Sequence, residues 1–276
     1  MAATAFDPHV ALEWIERVGA GGCEPVRDAL AVEEPLEVRV DGEALAVTMR
    51  TPGEDEELAV GFLAGEGLIA GRYDVATVGP TDDLAANVVE VGTCRGLRRD
   101  PSGERRFYLT SSCGVCGKGA LEFVRGVAPE GGPPPGSPPL APEAVLAAPV
   151  AARRAQHAFE RTGGLHATAL FGADASPVVV REDVGRHNAM DKALGSLLLA
   201  GRYPAAADGL YACLSGRASF ELVQKASMAG LLGLVAVGAP STLAVELARE
   251  RGLLLCGFVR GEAFNVYAGA ERLAAE

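Results

Sequence analysis

The chain has 276 residues, 49% of them hydrophobic, and a formal net charge of −11. That length allows one large domain or two modest ones with a sizeable core. The acidic balance argues against a protein that grips nucleic acid non-specifically, because phosphates would be repelled on average. No run of 18 apolar residues is present, so no transmembrane helix is expected. The N-terminus lacks the basic and apolar regions of a signal peptide, and the expectation is a cytoplasmic protein.

In chain order, Leu36–Val40 and Ala44–Met49 alternate apolar and polar residues around Asp41-Gly42, the pattern of a tight β-hairpin. The apolar spacing of Glu56–Ile69 predicts a helix. Val88–Val91 and Phe107–Leu109 read as strands, and Gly119–Arg125 as a helix. Residues 1–125 therefore form a mixed α+β unit. Residues 126–142 hold seven of the 17 prolines, interleaved with glycines, and read as a flexible loop or linker. From there to residue 276 helices and strands alternate. Pro142–Glu160, Gly185–Ala200, Ser219–Gly230 and Thr242–Arg251 are predicted helices. Leu165–Phe171, Val178–Val180, Gly209–Leu214, Leu231–Val237, Leu253–Phe258 and Phe264–Tyr267 are predicted strands. The pattern implies an α/β unit over residues 143–276, with parallel strand pairs covered on both faces.

Two features carry chemistry. The first is Thr110–Lys118, where Cys113 and Cys116 sit two residues apart among glycines, with Lys118 nearby. A thiolate is the reactive form of cysteine, and positive charge or a helix N-terminus populates it. Cys-x-x-Cys suits a sulfur carrier, a redox pair, or half of a zinc site, whose second pair of ligands is missing here. Cys213 and Cys256, in apolar runs, read as buried small hydrophobes; Cys23 and Cys94 fit no pattern. Arg95, Arg98, Arg99, Arg105 and Arg106 flank the approach to the cysteines, as a solvated hairpin or a docking surface for an anionic partner. The second feature is a set of strand-end loops: Arg181–His187, Ser215–Ser219, Gly238–Thr242 and Phe258–Glu262. Three of them lead into helices, whose N-termini offer free N–H groups to anions. Arg186, Arg217 and Arg260 add fork-shaped donors, so a phosphate-bearing ligand is expected. His166 and His187, each taken alone, read as hydrogen-bonded structural residues. Walker and Gly-x-Gly-x-x-Gly fingerprints are absent, which argues against a standard ATPase or NAD enzyme.

Ser112–Gly117, Glu182–Lys192, Ser215–Lys225, Ser241–Glu246, Gly257-Phe258 and Val266-Tyr267, in that order, resemble the formate dehydrogenase accessory sulfurtransferase family, FdhD. The resemblance runs from about Glu34 to the C-terminus. It implies a cytoplasmic homodimer that accepts a persulfide sulfur from a cysteine desulfurase. The sulfur then passes to bis-molybdopterin guanine dinucleotide, carrying molybdenum or tungsten, before the cofactor enters the formate dehydrogenase apoenzyme. It implies Cys113 as the persulfide-bearing residue and Cys116 as an auxiliary thiol. It also implies Phe258, Val259, Arg260, Gly261, Glu262 and Ala263 as a segment that binds the cofactor. With these, Arg186, His187, Arg217 and Ser219 are the expected contacts of the guanosine-diphosphate-like moiety. No permanent metal, nucleic acid or membrane is expected. The C-terminal unit is expected to be a three-layer α/β/α domain resembling the cytidine deaminase fold. Deamination itself is not expected, since the His-x-Glu and Pro-Cys-x-x-Cys signature is absent. An alternative reading keeps the cofactor-binding domain but makes the protein a chaperone with structural or zinc-bound thiols.

Overall fold

A computed structural model describes residues 7–81, 87–98 and 133–275. The expected strand Phe107–Leu109, the cysteine segment Thr110–Lys118, the expected helix Gly119–Arg125 and the first part of the proline-rich span lie outside the described residues. So do Arg99, Arg105 and Arg106.

The described residues open with a hairpin not expected from the sequence, β1 (Val10–Gly19) against β2 (Gly22–Ala31). Leu12, Trp14 and Val18 alternate along one face of β1 and are 49%, 70% and 77% exposed. The expected hairpin follows as β3 (Glu34–Val40) and β4 (Glu43–Arg50). Its turn residues Asp41 and Gly42 have φ of 52° and 85°, the left-handed region that a two-residue hairpin turn requires. With β5 (Val75–Pro80) and β6 (Val88–Thr93) these strands form a four-stranded sheet ordered β4-β3-β6-β5. Helix α1 (Asp55–Gly65) is shorter than its apolar pattern suggested. It ends at Gly65, and Glu66, Gly67 and Leu68 turn back onto Phe62, Ala64 and Leu63 carbonyls.

The second half is built on a six-stranded sheet ordered β12-β11-β10-β9-β7-β8. Its strands are β7 (His166–Gly172), β8 (Pro177–Asp183), β9 (Leu210–Leu214), β10 (Gly233–Ala236), β11 (Leu254–Arg260) and β12 (Ala263–Ala268). Only β9–β10 and β10–β11 pair in parallel; β7 runs antiparallel to both β8 and β9, and β12 runs antiparallel to β11. The predicted parallel pairing is therefore confined to the centre. One face carries α2 (Pro142–Arg154), packed on Phe171, Tyr211, Val235 and Cys256. The other carries α4 (Arg186–Leu199), α5 (Phe220–Met228) and α6 (Thr242–Glu250).

The helix expected over Pro142–Glu160 is broken in two. After Arg154 the chain turns, and α3 (His157–Thr162) begins where Ala158 and Phe159 donate their N–H groups to the Glu182 carboxylate of β8, at 3.0 and 2.8 Å. That external acceptor satisfies N–H groups a continuous helix would have bonded internally, so the break is set by tertiary contact rather than by propensity.

Helix α1 is buried nearly all round, between the four-stranded sheet and α4. A Cβ on Gly61 would lie 1.8 Å from the Asp191 carbonyl oxygen, and one on Gly195 would lie 1.8 Å from that of Glu57. The two glycines let the helix backbones touch, and one apolar core runs from Leu36 through Leu63 and Leu194 to Leu255. No helix among the described residues is long and apolar enough to cross a membrane.

Candidate functional site

Because β8, β9, β10 and β11 point the same way, their carboxyl ends share one edge of the sheet, where β7 begins. At that edge Asp183 ends β8 with no exposure. Its Oδ1 accepts from the Gly185 N–H at 2.8 Å and from Asn188 Nδ2 at 2.9 Å; its Oδ2 accepts from the Thr51 N–H at 3.1 Å. Lys192 Nζ lies 2.9 Å from Oδ2 and donates to the Thr51 carbonyl at 2.8 Å. A buried pair with both oxygens occupied holds its surroundings in one arrangement, and here it fixes the turn that launches α4.

The first two residues of α4 are Arg186 and His187. The Nε of Arg186 is buried and has no hydrogen-bond partner, and among the described residues no carboxylate pairs with this arginine. His187 Nε2 lies 3.2 Å from Ser219 Oγ and 3.7 Å from Glu221 Oε2. Ser219 precedes α5 but does not cap it; its hydroxyl turns to the histidine instead. The neighbouring His187 imidazole pulls the Glu221 carboxyl down to about 2, against the upward push of partial burial. His166, at the start of β7, lies 3.3 Å through Nδ1 from where a Cβ on Gly216 would stand, so its ring rests against the loop after β9. Burial first, then the charges of Arg186, His187 and Arg217, lower its pKa, with Asp183 opposing.

The loops themselves are stitched together beyond the sheet. Val237 donates to Leu214 at 3.1 Å, Gly238 to Gly216 at 2.9 Å, and Phe258 to Gly238 at 3.1 Å, while Ala218 and Pro240 form a bridge. Ser241 caps α6, accepting from the Ala244 N–H at 3.2 Å.

The structure thus gathers Arg186, His187, Arg217 and Ser219 at one edge. The segment Phe258–Ala263 is not a loop, as expected, but a strand ending, the two-residue turn Gly261-Glu262, and the start of β12. Val259 is 1% exposed and packed in the core under α2. Phe258, at φ 53°, is 37% exposed, with the Arg260 guanidinium 5.4 Å from its ring centre. Gly261, Glu262 and Ala263 are exposed beside them. Cys113 and Cys116 lie outside the described residues. Cys213 and Cys256 are buried, with their thiols pushed up to about 12 by desolvation, as inert core cysteines are.

Sequence reasoning missed His166 as a member of this cluster, and gave no role to Glu221 or to the Asp191–Lys225 pair. Asp191 Oδ1 lies 2.8 Å from Lys225 Nζ, which also reaches Glu66 at 3.3 Å. Burial raises the Asp191 carboxyl to about 6, with Lys225 holding it from rising further. The signal for Glu221 was its place in the first turn of α5, two residues after Ser219; nothing local in the sequence marks His166.

Residues 31–274 match the sequence model of the FdhD/NarQ family. The chain belongs to that family. Relatives named sulfur carrier protein FdhD include one from Anaeromyxobacter dehalogenans (strain 2CP-1), 51% identical over 260 residues and covering 90% of this chain and 89% of its own. Another, from Streptomyces coelicolor, is 50% identical over 267 residues, covering 94% and 93%. A crystal structure from Desulfotalea psychrophila, described as a candidate formate dehydrogenase accessory protein, has the same fold. It superposes with a TM-score of 0.75 at 22% identity, over 97% of this chain and 100% of that one. In this FdhD/NarQ protein the β1–β2 hairpin lies almost wholly before the family match, whereas every residue of the gathered cluster lies within it.

Proposed function

We propose that this protein is a sulfur carrier for formate dehydrogenase maturation. The Cys113 thiolate attacks the terminal sulfur of a cysteine desulfurase's persulfide. A new S–S bond forms on Cys113, and the donor leaves as a thiolate. The sulfur then goes to bis-molybdopterin guanine dinucleotide, bound as substrate, before that cofactor enters the apoenzyme. Arg186, His187, Arg217 and Ser219 are the proposed contacts for its phosphates, with Phe258, Arg260, Gly261 and Glu262 forming an outer lip. Cys116 assists. The proposal includes a cytoplasmic homodimer and a nucleotide-holding use of a deaminase-like layer architecture.

The observation that carries the binding half is Arg186: a partly buried guanidinium with an orphaned Nε, at a helix N-terminus, in a chain of net charge −11. Carboxylates are plentiful, yet none among the described residues is placed against it. An anionic ligand supplies the missing acceptor. The Cys-x-x-Cys segment and the relatives' name support the sulfur half.

The test is to incubate the protein with a cysteine desulfurase and sulfur-labelled cysteine and to map the label by mass spectrometry. Label should appear on the peptide containing Cys113 and vanish in Cys113→Ala. Labelling of that variant at the wild-type level would overturn the assignment.

A further inference from the structure

We propose that His166 takes up a proton from solvent when a phosphate-bearing ligand enters the edge cluster, so that its imidazolium joins Arg186 and Arg217 as a third cationic contact. The inference rests on the pocket reading above and adds to it a residue and a pH dependence.

The geometry separates the two histidines. His187 is engaged, with Ser219 and Glu221 both at its Nε2. The His166 imidazole makes no hydrogen bond among the described residues, and the ring lies against Gly216, beside Arg217. The groups that face it are Arg186 and His187 from α4, Arg217 from the loop after β9, and Asp183 from β8. Three of the four disfavour a positive ring. The one carboxylate, Asp183, already serves Thr51, Gly185, Asn188 and Lys192. Without an anion these surroundings favour the neutral ring. A phosphate among Arg186, His166 and Arg217 reverses that balance, since an opposite charge within a few ångströms favours the protonated form.

Linkage then gives the sign. Below the ligand-free pKa of His166 the ring is already charged and nothing is taken up. Between that value and the higher ligand-bound one, binding takes up as much as one proton, and affinity weakens by up to about tenfold per pH unit as pH rises.

The experiment is calorimetric titration of guanosine diphosphate at pH 6, 7 and 8, in buffers of different ionisation enthalpy, for the wild-type chain and His166→Gln. The wild type should take up more protons per nucleotide than the variant near pH 7; the comparison cancels the nucleotide's own phosphate titration. Its affinity should also fall more steeply from pH 7 to 8. Equal uptake in both proteins, with binding intact, overturns the role of His166 and leaves the pocket standing. Absence of guanosine diphosphate binding in the wild type overturns the pocket reading, and this inference with it. If His166→Gln does not fold, imidazole proton resonances of the wild-type chain decide, with the four histidines assigned through a His187→Gln comparison. The His166 resonance should titrate higher with nucleotide present, and an unmoved titration overturns the proposal.

Discussion

Arg181 and Arg186 stand five residues apart and do opposite work. Arg181 makes a two-pronged pair with Glu57, Nε to Oε2 at 2.6 Å and Nη2 to Oε1 at 2.7 Å, which ties β8 to α1. Arg186 has a buried Nε without a partner and no ion pair among the described residues. Removing each should therefore separate stability from binding. Arg186→Ala should weaken guanosine diphosphate by about ten- to a hundredfold, the worth of one charged hydrogen bond, and leave the melting temperature unchanged. Arg181→Ala should lower the melting temperature and leave nucleotide affinity near wild type; calorimetry and thermal melts read both. Glu221 gives a pH signature. Its folded pKa, about 2, lies below the ordinary 4.5, so the stability its carboxylate contributes is lost as pH falls from 4.5 towards 2. Glu221→Gln should show a shallower loss of melting temperature across that window than the wild type. The sequence alone marked Arg186 as a phosphate contact because it opens a helix after a strand. It could not show that Arg181 is spent on Glu57, 124 residues away, since both arginines sit in the same polar run.

At the scale of elements, local pattern carried most of the reading and long-range contacts the rest. The Asp41-Gly42 hairpin and the order of helices and strands in the second half were legible, because turn chemistry and apolar period are written within a few residues. The β1–β2 hairpin was not: Trp14, Val18 and Leu12 face outward, so its strands lack the inward apolar alternation that betrays a half-buried strand. The break between α2 and α3 was hidden for a related reason, since its cause is Glu182 on another strand. The crossing of α1 and α4 is a matter of Gly61 and Gly195, ordinary helix-weakening residues when read locally. In place, each admits the other helix's backbone. Gly61→Ala or Gly195→Ala must push the helices apart, with an expected loss of about 3 kcal/mol, at the upper end of overpacking costs, measurable by urea denaturation. Gly65 belongs to the same design: a Cβ there would stand 2.8 Å from Lys225 Nζ and 3.2 Å from Asp191 Oδ1, so the buried ion pair exists in the room that glycine leaves.

For the whole molecule, neither apolar core contains a residue of β1 or β2. The hairpin is held at its base, where Val32 donates to the His9 carbonyl at 2.9 Å and Arg161 pairs with Asp7. Deleting residues 1–31 should therefore shift the main melting transition by only a few degrees, as read by circular dichroism. The sheet edge and the α1–α4 crossing belong to one body by contrast. Leu36, Val38, Val89 and Val91 from the first sheet share their core with Leu194, Leu198, Val223 and Leu255 from the second half. Neither half can bury that surface alone. The glycine-to-carbonyl contact at Gly61 and Gly195 works in both directions, so each half carries the mould of the other. A chain cut between residues 132 and 133 should therefore give two fragments that are unfolded apart and that assemble on mixing without a covalent link. Recovery of cooperative melting in the mixture, and its loss when one fragment bears Gly195→Ala, would make the pair a complementation system in which reassembly reports on a single helix crossing.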